Sequence, residues 1–241
     1  MDAAALLAPL ADEPRRTALV FDVDGTLAPI APRPELARVP DKTRDEVRRL
    51  AGRYLLVACL SGRPGAEAAA LVGVEGLRYI GNHGLELHPR AGELEGELAR
   101  FRREIDSAWP IEDKGLTLSF HYREADDEAA AVATLEDVAR RAEEHGLDAR
   151  WGRKLLEVRP HVHADKGTAL RQLLEESGAE LGLYAGDDTT DIDAFRGLAA
   201  APLRHAVRIA VSSPEAPPEL VAEADLVADG PDELVSLLRL L

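Results

Sequence analysis

The chain has 241 residues, 46% of them hydrophobic and 30% charged, with 29 Lys and Arg against 44 Asp and Glu for a net charge of −15. That surplus of acid excludes a general nucleic-acid binder, which needs a basic face to neutralise phosphates. The balance of apolar and charged residues excludes wholesale disorder, and no apolar run reaches the roughly 18 to 20 residues of a membrane span.

In chain order, residues 1–14 hold a short apolar stretch with no basic residue ahead of it. A secretory signal would begin with positive charge, so the segment reads as an extension or a first helix. Leu19–Val23, Leu55–Leu60, Arg78–Gly81, Gly182–Ala185 and Arg208–Val211 are short apolar runs ending in Gly, Asp, Asn or Ser. Such runs suit strands buried on both faces. Helical patterns lie between them. Pro40–Arg53 carries Thr43 three residues before Glu46, a capping-box spacing. Lys166–Ser177 puts Leu170, Leu173 and Leu174 on one stripe and ends at Gly178, a natural C-cap. The alternation predicts an α/β fold with a doubly wound, mostly parallel sheet.

The middle of the chain breaks this rhythm. A helix over Glu93–Trp109, a period-2 strand over Leu116–Arg123, a helix through Val132, Leu135, Val138, Ala139 and Ala142, and strands over Asp148–Trp151 and Lys154–Arg159 follow in turn. That order predicts a smaller α/β module inserted at residues 89–160, with the core formed by 1–88 and 161–241. The Pro-rich pieces Pro29–Pro40 and Pro214–Pro218 read as loops.

One cysteine, Cys59, cannot form an intrachain disulfide, which fits a reducing compartment and a cytoplasmic protein. It lies inside a strand and reads as a packing residue rather than a nucleophile. Only four of the 29 basic residues are lysines: Lys42, Lys114, Lys154 and Lys166. In a chain that prefers arginine, a retained lysine points to a need for a compact ammonium.

The polar motifs cluster at strand ends. Asp22 and Asp24, in DVDGTL, follow the first strand, where a turn at Gly25 can aim two carboxylates around one reacting centre. A calcium loop is the competing reading, but no third ligand precedes Gly25 and no Glu closes the loop. Ser61, with Gly62 and Arg63, follows the second strand, and its hydroxyl can donate to a phosphate oxygen; Ser-Gly is also ordinary turn chemistry. Asn82 and His83 sit between two glycines after the third strand, as a turn or as part of a polar crevice. Lys166 opens a helix, where an ammonium opposes the dipole and calls for an anion. Asp187, Asp188, Asp191 and Asp193 give four aspartates in seven residues, more than a helix cap requires, and clustered hard oxygens fit Mg²⁺. In an open parallel sheet such positions converge on one crevice. A nucleophile, an acid/base and cations are what phosphoryl transfer needs.

These motifs, in this order, resemble the haloacid dehalogenase superfamily. LSGRP (Leu60–Pro64), GNHG (Gly81–Gly84), DKGLTLSFHYR (Asp113–Arg123), LEVRP (Leu156–Pro160), DKG (Asp165–Gly167) and GDDTTDIDAF (Gly186–Phe195) are similar to those of its trehalose 6-phosphate phosphatases. The chain departs from the pattern at Ile192, where an acid is usual. The resemblance implies a Rossmann-like core with a specificity cap, acting on a small sugar phosphate, with no nucleic-acid or membrane partner and as a monomer. Asp22 would be the nucleophile and Asp24 the acid/base. Gly25, Thr26, Ser61, Gly62 and Lys166 would hold phosphate. Mg²⁺ would bind at Asp22, the Asp24 backbone carbonyl and Asp187, with Asp188 and Asp191 in support. Sugar contacts would come from Arg63, Asn82 and His83 in the core, and from Lys114, Arg123, Arg153, Lys154 and Glu157 in the insert. Other sugar phosphates, an aspartyl-phosphate mutase, or a silent sugar-phosphate sensor are the alternatives the motifs leave open.

Overall fold

The computed structural model describes residues 2–31, 33–123, 125–152, 154–213 and 216–241. They divide into two units, Met1–Gly84 with Ala164–Leu241, and Leu85–His163. The N-terminal segment is helical: α1 (Ala3–Asp12) is capped by the Asp2 carboxylate, which accepts from the Ala4 N–H, and it buries Leu7 and Leu10. There follow β1 (Thr17–Phe21), α2 (Asp41–Arg53), β2 (Leu56–Leu60), α3 (Gly65–Val72) and β3 (Arg78–Ile80). The second unit supplies α4 (Ala91–Glu104), β4 (Ile111–Asp113), β5 (Leu118–His121), α5 (Glu128–Glu144), β6 (Leu147–Gly152) and β7 (Leu155–Pro160). The first unit resumes with α6 (Lys166–Ser177), β8 (Leu181–Gly186), α7 (Thr189–Ala200), β9 (His205–Ser212), α8 (Pro218–Glu223), β10 (Leu226–Asp229) and α9 (Gly230–Leu238).

In the first unit six parallel strands run in the order β10-β9-β8-β1-β2-β3. This is the doubly wound α/β sheet expected from the alternation. Every residue of β1 is buried, which is why it is apolar from Ala18 to Phe21; the buried Thr17 hydroxyl donates to the Glu13 carbonyl. β1 lies where the strand order reverses direction, so β2 and β8 present their carboxyl ends on either side of it. Crevices in such sheets open at that point.

α6 and α7 cross at two glycines. A Cβ on Gly197 would lie 2.5 Å from the Gly167 carbonyl oxygen, and one on Gly167 would strike the Asp193 carbonyl. Only hydrogen at both positions lets the helices approach closely enough to set Lys166 beside Asp191. Gly197→Ala is therefore expected to cost about 1 to 3 kcal/mol through overpacking. A thermal melt unchanged from the parent would refute this account of the crossing.

The second unit is a four-stranded antiparallel sheet, β4-β5-β7-β6. One face packs against the two helices α4 and α5 through Leu98, Phe101, Phe120, Leu135, Leu156 and Val158. Alternate residues occupy the other face, where Ser119 and Arg150 stand opposite Glu157.

Several boundaries differ from expectation. α2 starts at Asp41 with Pro40 as N-cap, so Thr43 falls within the helix. The expected capping box does not form: Thr43 Oγ1 is buried without a hydrogen-bond partner and Glu46 pairs with Arg49 instead. Proline provides the extended entry here at φ −60° and ψ 146°. The helix expected over Glu93–Trp109 runs from Ala91 to Glu104, and β4 follows only at Ile111–Asp113, a strand too short to show a period.

Candidate active site

Asp22 follows β1 directly, and its N–H still donates to the Ala185 carbonyl of β8 at 2.9 Å. That last ladder bond fixes the Asp22 backbone, and the residue is only 4% exposed. The chain then turns sharply. Gly25 adopts φ +86°, and a Cβ there would overlap the Asp187 carboxylate. The turn carries Asp24 away from Asp22. The Asp24 carboxylate receives Arg63 Nε on Oδ2 at 2.6 Å and Arg63 Nη2 on Oδ1 at 2.7 Å. Thr26 is buried and donates to Asp187 Oδ1 at 3.4 Å.

Lys166 is the first residue of α6, behind the capping Asp165, and is 2% exposed. Its Nζ reaches Asp22 Oδ1 at 2.6 Å and Asp191 Oδ1 at 2.7 Å. An ammonium sealed from water at a helix start finds its anions here, as the lysine count anticipated.

Asp191 organises the loop after β8. Its Oδ2 accepts from the backbone N–H groups of Asp187 at 2.8 Å and Asp188 at 2.9 Å. Its Oδ1 accepts from Lys166 and from the buried Tyr184 hydroxyl at 2.7 Å. Four donors fill the lone pairs of one carboxylate. Tyr184 escapes sequence reasoning because nothing in the apolar run LGLYA marks its hydroxyl as turned toward the polar cluster.

Asp22, Asp187 and Asp191 offer carboxylate oxygens within 4.8 Å of one another, all three buried. Asp188, expected in support, is exposed. Three buried carboxylates face one ammonium, an excess of negative charge that a hard divalent cation would balance. Since Asp191 is filled by its donors, Asp22 and Asp187 are the members with capacity for such an ion.

Burial pushes the Asp22 carboxyl up to about 7, with Lys166 pulling it back and Asp191 adding to the rise. Burial and the neighbouring Asp22 and Asp191 push Asp187 up to about 8. Burial opposes the charge on Lys166, but Asp191 and Asp22 together hold its pKa above the ordinary range. Both raised carboxyls keep protons in the folded state at pH values where the unfolded chain has lost them. The stability they contribute is therefore lost as pH rises toward the folded values. The melting temperature of the metal-free protein is expected to fall between about pH 5 and 8, and Mg²⁺ to flatten that fall. Melts with EDTA and with Mg²⁺ across this range make the check, and identical curves would remove the cluster as a cation site.

The remaining expected residues fall into two groups. Ser61 is buried after β2, its Oγ accepting from the Arg63 N–H at 3.1 Å. Asn82 and His83 adopt φ +51° and +53°, and the His83 ring lies over Gly62, where a Cβ would sit 2.7 Å from Cε1. The glycine at position 62 thus makes room for the imidazole. Arg63, expected to meet sugar, is turned onto Asp24. Lys114, Arg123, Lys154 and Glu157 belong to the second unit. Lys114 lies 3.4 Å from Glu112, Arg123 is exposed, Lys154 pairs with Glu128, and Glu157 is half-buried beside Ser119 and Arg150. Arg153 lies outside the described residues. Burial raises the Cys59 thiol pKa, which suits a packing residue.

The pattern of the trehalose-phosphatase family matches residues 20–99 and 98–222. The chain belongs to the trehalose-phosphatase family. The match runs from β1 into α8 and takes in both units. A trehalose-phosphate phosphatase of Mycolicibacterium paratuberculosis is 35% identical over 212 residues, covering 79% of this chain and 53% of its own length. An uncharacterized glycosyl hydrolase of Mycobacterium tuberculosis is 38% identical over 209 residues, 75% of this chain and 15% of that protein. The chain thus spans about half the length of the mycobacterial phosphatase and a smaller share of the hydrolase. In three dimensions it is similar to the Aspergillus fumigatus trehalose-6-phosphate phosphatase, with a TM-score of 0.67, 26% identity, and coverage of 99% of this chain and 96% of the other. Among the described residues no helix is long and apolar enough to cross a membrane.

Proposed function

We propose that the protein hydrolyses trehalose 6-phosphate to trehalose and inorganic phosphate through an aspartyl phosphate on Asp22. The observation that carries this reading is the buried Asp22 carboxylate at the end of the central strand, held by Lys166 beside Asp187. Asp22 attacks phosphorus as the bond from phosphorus to the sugar oxygen breaks. Asp24 gives its proton to that departing oxygen and is left as a carboxylate. It then takes a proton from water as the water oxygen attacks the aspartyl phosphate, which releases phosphate and regenerates Asp22. Lys166 and the Ser61 hydroxyl meet the phosphoryl oxygens.

Asp22, the Asp24 carbonyl and Asp187 would hold Mg²⁺, which would supply positive charge to the transferring phosphoryl group. The glycine turn at Gly25 and the Thr26 bond to Asp187 hold those carboxylates together. The inserted unit is assigned the sugar, through Lys114, Arg123, Lys154 and Glu157.

Phosphate release with Mg²⁺ or EDTA, over trehalose 6-phosphate, sucrose 6-phosphate, glucose 6-phosphate and mannosyl-3-phosphoglycerate, tests the reading. Metal-dependent release centred on trehalose 6-phosphate is the expected result. Activity centred on another sugar overturns the substrate, and no release from any overturns the chemistry.

A further inference from the structure

Arg63, expected to bind sugar, has its guanidinium committed to Asp24 within the core. The bidentate fork to Asp24 spans both carboxylate oxygens, and Nη2 also donates to the Pro34 carbonyl at 3.0 Å. The residue is anchored at its backbone as well. Its N–H donates to Ser61 Oγ and its carbonyl accepts from the Asn82 N–H at 3.0 Å, which ties it to the ends of two strands. The side chain is 17% exposed.

A carboxyl group on a turn rotates about two bonds, and proton transfer demands a fixed direction. Two parallel N–H···O bonds set the plane of the carboxylate as a single contact does not. A guanidinium also stays charged across the working pH range, so it can meet the negative charge left on Asp24 without exchanging a proton of its own. We propose that Arg63 is a positioning residue for the acid/base Asp24: it orients the carboxyl and receives the charge that appears there when the sugar oxygen is protonated. The inference rests on the assignment of Asp24 as acid/base.

The test uses kcat/KM, which reports the steps through loss of the leaving group and not the later attack by water. Substrates are trehalose 6-phosphate and a series of aryl phosphates whose phenols grow steadily more basic. p-Nitrophenolate leaves with little need of a proton, whereas basic phenols and sugars need one. Arg63→Ala is expected to lower kcat/KM on the order of tenfold to a hundredfold for the most basic leaving groups, and least for p-nitrophenyl phosphate. Arg63→Lys, which keeps the charge and loses the fork, should fall between, and added guanidinium ion should restore part of the loss in the alanine variant. If the alanine variant does not fold, the lysine variant carries the same comparison.

Asp24→Asn is run alongside. A loss that steepens with leaving-group basicity in Asp24→Asn but is uniform in the Arg63 variants overturns the proposal alone. A loss in the Arg63 variants confined to trehalose 6-phosphate, with the aryl series unmoved, makes Arg63 a sugar contact and likewise overturns it. A uniform loss in Asp24→Asn overturns the acid/base assignment, and the inference with it.

Discussion

Asp22→Asn is expected to lower phosphate release by at least about four orders of magnitude, the scale on which removal of a covalent nucleophile is felt. The amide lone pair is delocalised and cannot attack phosphorus. The fold should survive the exchange. Asn has the same shape, can still accept from Lys166, and removes a buried charge whose raised pKa shows that its ionised form is costly there. The melting temperature is accordingly expected to hold or rise. Phosphate release and calorimetry on the same preparation decide the matter. Activity above about a hundredth of the parent would remove Asp22 from the nucleophile's place.

Lys166→Met should act through both stability and turnover. It leaves Asp22 and Asp191, both nearly sealed from water, without the ammonium they share. Breaking a buried ion pair by removing one partner costs about 3 to 5 kcal/mol, or roughly 6 to 20 °C in melting temperature for a chain of this size. The deficit should shrink on acidification, as the stranded carboxylates take up protons. Lys166→Arg is expected to rescue little. Two oxygens converge on a single Nζ at 2.6 and 2.7 Å, and a planar fork cannot replace a point donor in that space. A melt for Lys166→Met within a degree or two of the parent would refute the energetic account.

The sequence shows the site best where the chain must turn. Asp22, Ser61 and Asp187 follow apolar runs that break at a glycine, Lys166 opens a helix behind a capping aspartate, and these local signals survive without any knowledge of partners. The pairings that give the site its order are not local. Asp24 and Arg63 lie 39 positions apart, and Lys166 reaches back 144 positions to Asp22. No periodicity encodes such contacts, so the sequence offers Arg63 as a sugar ligand and gives no sign of its pairing with Asp24. Tyr184 is hidden for a related reason: in a strand buried on both faces, an apolar ring and its hydroxyl look the same from the sequence. The short edge strands β4 and β10 escape because three or four residues carry too little pattern to stand out.

The interruption of the first unit by residues 85–163 has a consequence for biogenesis. As the chain leaves the ribosome, β1, β2 and β3 emerge together, but β8, which pairs along the whole of β1, is made only after the entire insertion. During that interval a strand that is fully buried in the finished fold presents a bare edge, the kind of template on which nascent chains aggregate. The inserted unit is contiguous and can complete its own antiparallel sheet while the larger sheet waits. The order of synthesis therefore lets the middle of the chain close before the β1 edge is covered by β8.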